Sequence, residues 1–80
     1  MVMNMKVFKT YEELMLYLLK NYDVSIPKKV KKWLMSVPIH AVEFRVSEVD
    51  NLLIVERVSY IWQNNRSMEY VERKIFPLSR

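Results

Sequence analysis

The feature that most constrains this chain is the spacing of its turn-forming dipeptides around a run of strand-forming residues. Leu52 to Trp62 reads LLIVERVSYIW, rich in β-branched and aromatic side chains, with Asp50-Asn51 before it and Asn64-Asn65 after it. A two-residue hairpin turn needs a left-handed backbone, which glycine usually supplies. The chain has no glycine, so Asn and Asp, the other residues that tolerate this conformation, must serve. If both dipeptides are two-residue turns, Val42–Val49, Leu52–Trp62 and Ser67–Phe76 form an antiparallel meander with a fixed register. Paired residue numbers then sum to 101 across the first hairpin and 129 across the second.

That register can be checked against charge. It sets Val46 opposite Val55 and Val58 opposite Val71. It sets Arg45 opposite Glu56, Arg57 opposite Glu72 and Glu56 opposite Arg73, a ladder Arg45–Glu56–Arg73 across the sheet. Opposed unlike charges contribute roughly 0.2–1 kcal/mol each, and a slip of one residue would turn every side chain of a strand to the other face. The two faces are unequal. One carries Val42, Phe44, Val46, Leu53, Val55, Ile61, Met68, Tyr70 and Phe76, interrupted by Arg57, Glu72 and Lys74. The other carries the ladder, but also Leu52, Ile54, Val58, Tyr60, Trp62, Val71 and Ile75. A face left wholly to water reads more polar than this second one, so partial cover is expected there too.

Two helices precede the meander. Thr10-Tyr-Glu-Glu13 has capping-box spacing. Tyr11, Leu14, Leu18 and Tyr22, flanked by Met15, then recur at helical intervals and predict helix one through Lys20. Asn21 is expected to end it in the left-handed conformation. Ser25 is expected to cap helix two, with Pro27 in its first turn, where a missing amide costs little. Ile26, Val30, Trp33, Leu34 and Val37 form the inner stripe, and Pro38 ends the helix. Val2–Phe8 is a further candidate strand with no assigned partner. The expected fold is one α+β domain over residues 1–80: two N-terminal helices on a three-stranded antiparallel meander, with room for an extra N-terminal strand.

Helix, turn and helix here are similar to the opening of a winged-helix protein. That family places a third, recognition helix before its hairpin, whereas Pro38 leads here straight to strand.

Eighty residues bury only about 60% of the unfolded surface. With no cysteine, disulfides and thiolate metal sites are excluded, and a reducing, cytoplasmic location is expected. Leu14–Leu19, the longest apolar run, is too short to span a bilayer. The absence of glycine, a single Ala41 and abundant Lys, Asn and Ile suggest AT-rich coding, as in some archaea, viruses and mobile elements.

Chemistry is sparse. Without glycine the usual dinucleotide fingerprints, P-loops and nucleophile elbows are missing. His40 is the only histidine, so a multi-histidine zinc site is unavailable, and at a strand start it reads as structural. Glu43, Glu56, Glu69 and Glu72 sit among arginines or on open surface, which explains them without acid–base catalysis. No enzymatic activity and no cofactor are expected.

Charge is the informative signal. Residues 1–37 hold seven lysines against Glu12, Glu13 and Asp23, while residues 38–80 balance six bases with six acids. Lys28, Lys29, Lys31 and Lys32 occupy an arc of roughly 160° on helix two, with no acid between Ser25 and Glu43. Solvated faces usually mix signs. Lysine suits phosphate, whereas the arginine fork reads guanine edges. A small basic protein that binds nucleic-acid backbone through these four lysines is the expectation. The alternative is an interaction module, an inhibitor or assembly factor, docking the same helix on an acidic partner. On the sheet, Ile54, Val58, Tyr60, Trp62 and Val71 point away from the helices and are expected to form a homodimer interface. The competing use of that face is a base-stacking platform of Tyr60 and Trp62 beside Arg45 and Arg73.

Overall fold

A computed structural model describes residues 5–36 and 41–78. In chain order the elements are β1 (Lys6–Phe8), α1 (Tyr11–Asn21), α2 (Ser25–Leu34), β2 (Glu43–Val49), β3 (Leu52–Gln63) and β4 (Arg66–Pro77). The strands make one antiparallel sheet in the order β1-β2-β3-β4, and both helices pack on one of its faces.

The turns set this arrangement. Asn64 and Asn65 both have positive φ, 51° and 59°, the pair of left-handed residues a type I′ hairpin requires. In the first hairpin only Asp50, at 56°, is left-handed, and Asn51 is not. The register is the one the charges predict: Val46 faces Val55, Arg45 faces Glu56, Arg57 faces Glu72, Val58 faces Val71 and Glu56 faces Arg73. The ladder is only half realised by side chains. Arg73 donates twice to Glu56 Oε2, at 3.1 and 2.9 Å. Arg45 turns instead to Glu43 on its own strand (2.7 Å) and reaches diagonally to Glu69 (3.4 Å). Glu56 already holds the Arg73 fork, and Glu43, two residues along the same face, offers Arg45 a nearer carboxylate.

Phe44, Val46, Leu53, Val55 and Phe76 from the sheet meet Leu14 and Leu18 of α1 and Ile26 and Val30 of α2 in the core. β1 extends the sheet beyond the expected meander. It pairs with β2 through Lys6–Val46, Val7–Arg45 and Phe8–Phe44, and Phe8 packs on Tyr17 with ring centroids 5.2 Å apart. Of the rest of the expected strand, Met5 lies just before β1 and Val2–Asn4 lie outside the described residues, as do Val37, Pro38 and His40. Among the described residues, no third helix lies between the end of α2 at Leu34 and the start of β2 at Glu43.

Helix ends depart from expectation in three places. α2 stops at Leu34, short of the expected end at Pro38, and just beyond it the Ser36 amide and hydroxyl both donate to Trp33 O. Thr10 caps α1 as foreseen, its Oγ1 accepting from Glu13 N–H at 3.2 Å. Asn21 does not adopt the left-handed conformation. It remains helical and its Nδ2 donates to Tyr17 O (2.8 Å), while extended Tyr22 (φ −136°) ends the helix. Tyr22 is pulled outward by its hydroxyl, which donates to Glu48 at 2.8 Å. Ser25 is not the cap of α2. Val24 takes that position without a side-chain bond, because the Asp23 carbonyl already receives the Ile26 amide at 2.9 Å.

Beyond Val58, β3 loses its β2 neighbour and runs on with β4 alone. Ser59–Gln63 and Arg66–Tyr70 are thus a two-stranded ribbon that projects past the helices and helps stretch the described residues to 46 × 29 × 18 Å.

Two predictions follow from these local geometries. Asn65→Val should lower stability by about 1–2 kcal/mol, the cost of forcing a β-branched residue left-handed, whereas Asn65→Gly should hold or raise it; thermal melts decide between them. Burial first, and the bond to Glu48 second, hold the Tyr22 phenol above its ordinary value of 10. Because the folded-state value is raised, that stabilisation is complete below about pH 10 and is lost as pH climbs through the folded value. Tyr22→Phe should therefore flatten the alkaline limb of the stability profile, read from denaturant midpoints between pH 8 and 11.

Candidate nucleic-acid interface

Burial and pairing divide the cations of this chain into two populations. Three sheet arginines, Arg45, Arg57 and Arg73, pair with carboxylates, whereas Arg66 at the ribbon tip is exposed and forms no ion pair among the described residues. Arg57 is 1% exposed beneath the end of α2. Its Nε and Nη2 fork onto Glu72 at 2.7 and 3.1 Å, Nη1 donates to Leu34 O at 3.0 Å, and the guanidinium lies 4.6 Å from the Trp33 ring centre. Leu34 O is one of the carbonyls a helix leaves unpaired at its C-terminus, so Arg57 closes α2 from below. Trp33 in turn stands edge-on to Phe76, ring centres 6.2 Å apart. Arg45 and Arg73 are engaged as described above, and hydrogen bonds from Lys9 first and Arg45 second hold the Glu43 carboxyl below its ordinary range. These contacts hold both guanidinium groups beside carboxylates on that face, and the exposed Arg73 keeps its Nη1 for further contacts.

The lysines of α2 are the opposite case. Lys28, Lys29, Lys31 and Lys32 are all exposed, and among the described residues none of them forms an ion pair. The helix presents them as two stripes about 100° apart around its axis, the two lysines of each stripe about one turn apart. Lys28 and Lys31 border a groove of about 330 Å³ between the helices, floored by Tyr11, Met15 and Pro27. Lys29 and Lys32 border a second groove of about 440 Å³ against β4, walled by Trp33, Phe76 and Pro77. Lys74 lines that second groove as well. Sequence reasoning placed Lys74 only as an interruption of the helix-facing sheet surface; its approach to Lys29 and Lys32 depends on how α2 crosses β4, which residue spacing does not reveal.

The expected homodimer patch is not one continuous surface. Trp62 (71% exposed), Tyr60 and Val71 are open, and Ile54 is half-buried. Val58 is 0% exposed within the single chain. It lies between Glu43 and Val71 in register, and the Arg45–Glu69 ion pair crosses over it from β2 to β4. Within the single chain, that is the partial cover of the second face, supplied by long charged side chains.

Among the described residues no group of three or more His, Asp or Glu side chains is placed to hold a metal, and no helix is long and apolar enough to cross a membrane. No protein-family model matches the chain, and no curated protein or solved structure matches it significantly. Function must therefore be argued from the site rather than from kinship.

The Arg57 site makes its own prediction. Glu72→Ala leaves a buried guanidinium without its carboxylate and should cost about 3–5 kcal/mol, whereas Arg57→Met combined with Glu72→Leu should cost much less. Urea denaturation of the two variants against wild type measures the difference.

Proposed function

We propose that this is a small, non-enzymatic nucleic-acid-binding protein that grips the phosphate backbone with α2. The observation that carries this reading is the set of four exposed, unpaired lysines on one helix, in a chain whose sheet arginines at 45, 57 and 73 are taken up by carboxylates. A surface needing charge only for solubility intersperses both signs, and α2 carries no acid at all. Lys31 and Lys32 also sit in its last turn, where the helix dipole favours cations, so the helix itself stabilises this concentration of charge.

Lysine is a compact point charge on a flexible stem. Four of them hold phosphates without fixing a base, so binding is expected to be weakly selective for sequence. Lys74 adds a fifth ammonium across the Trp33 groove and extends the positive surface from helix to sheet.

If each of the four helix lysines neutralises one phosphate of a duplex, the log–log salt slope should be about −3.6, at roughly −0.9 per contact. Lys28→Glu with Lys32→Glu should nearly abolish binding and leave circular dichroism unchanged, since neither side chain enters the core. Gel-shift titrations on duplex and single-stranded DNA and RNA at two salt concentrations provide both measurements. Absence of a shift on every probe at low salt, or a double variant that binds like wild type, overturns the reading. The first outcome leaves the surface of an acidic protein as the partner for these lysines.

A further inference from the structure

The sheet has two unlike edges. At one end stands β1, three residues long; at the other stands β4, which runs unbroken from Arg66 to Pro77. The two-residue turn makes Gln63–Arg66 the closing hydrogen-bonded pair of the hairpin, and such pairs alternate along an antiparallel ladder. On β4 the even-numbered residues therefore bond to β3. The amides and carbonyls of Ser67, Glu69, Val71, Arg73 and Ile75 point outward, without partners among the described residues. An edge of this length is a template for another strand.

We propose that two copies of this chain pair antiparallel through β4, about a two-fold axis at Val71, to form one continuous eight-stranded sheet. The axis stands perpendicular to the sheet, so helices stay on the same face and paired residues must share parity. Outward-facing residues pair with outward-facing residues, and partner numbers sum to an even value. A sum of 142 sets Val71 opposite Val71, Glu69 opposite Arg73 on both sides of the axis, and Ser67 opposite Ile75. No like charges meet.

Neighbouring registers fail this test. A sum of 140 opposes Arg66 to Lys74, 144 opposes Glu72 to Glu72, 138 opposes Glu69 to Glu69 and 146 opposes Arg73 to Arg73. Directly opposed like charges are destabilising, so charge alone selects one register of five. Groups are also left to make the new contacts. Arg73 uses Nε and Nη2 on Glu56, leaving Nη1; Glu69 offers only Oε1 to Arg45, leaving Oε2. Pro77, which has no amide to donate, stands where the paired stretch ends.

A second, separate observation agrees. On the helix-bearing face, the ribbon tip exposes Ile61, Met68 and Tyr70, which no helix of the same chain covers. The register of 142 sets Met68 opposite Lys74 of the second copy and Arg66 opposite its Phe76. The uncovered ribbon of each copy thus comes beside the Trp33–Phe76–Pro77 groove of the other. Two apolar surfaces that the single chain leaves open become each other's cover, as the self-complementarity of a two-fold interface requires.

The experiment is light scattering and analytical ultracentrifugation of the full chain without nucleic acid, so its outcome is independent of the lysine surface. Wild type should be a dimer at high micromolar concentration. Glu69→Arg alone and Arg73→Glu alone each place two like-charged pairs across the axis, and each should weaken the dimer roughly tenfold or more. An equimolar mixture of the two variants restores opposite charges at both positions and should return the dimer. Val71→Pro removes an outward amide and no ladder bond to β3, a change an edge strand tolerates, so it should give a folded monomer by circular dichroism even if a charge variant fails to fold. A monomeric wild type, a dimer indifferent to Val71→Pro, or folded charge variants that do not recover on mixing would each overturn the proposal.

Discussion

The ion pair between Arg57 and Glu72 is the constraint on which the helix-to-sheet packing depends. A guanidinium so fully buried must have its charge answered and its donors placed, because a lone buried charge costs several kcal/mol even after relaxation. Three structural decisions supply the answer together. The Asn64-Asn65 turn sets β3 against β4 so that Glu72 stands opposite; α2 stops at Leu34 so that a free carbonyl is within reach; Trp33 turns its face to the cation. A shift in the turn or in the end of α2 would leave donors empty. Buried polar groups of this kind are costly to misplace, so they restrict how α2 can lie on the sheet more sharply than the surrounding aliphatic contacts do.

The backbone of the meander was legible because three independent signals agreed. Asn and Asp in a chain without glycine marked the turns, the β-branched run marked the centre, and opposed charges tested the register. What escaped were choices between equivalent partners. Arg45 had Glu56 opposite it but Glu43 beside it and Glu69 within reach, and one-dimensional spacing does not rank them. The cap of α2 was misplaced for a related reason: a backbone carbonyl, Asp23 O, takes the Ile26 amide and the helix already starts at Ser25, and carbonyls carry no residue-specific signature. Asn21 kept helical geometry because Tyr22 found a long-range bond to Glu48, 26 residues away.

The candidate site was legible in its residues and illegible in its shape. Helical periodicity alone puts Lys28, Lys29, Lys31 and Lys32 on one arc. Their separation into two stripes bordering different grooves, and the arrival of Lys74 beside one of them, require the crossing of α2 over β4. The burial of Val58 is the converse case. Its face was assigned correctly, but exposure was inferred from facing away from the helices, and the Arg45–Glu69 span covered it. Long charged side chains can seal a sheet face that has no second layer.

The division between arginine and lysine has a chemical corollary. The guanidinium groups of Arg45, Arg57 and Arg73 are held by carboxylates, and primary amines carry the outward charge of α2. Acylation acts on amines and removes their charge, while the Arg57 fork lies out of its reach on both chemical and steric grounds. The electrostatic character of the helix face can thus be written or erased one amine at a time without renegotiating the packing beneath it. In this small chain, shape and charge are separately addressable.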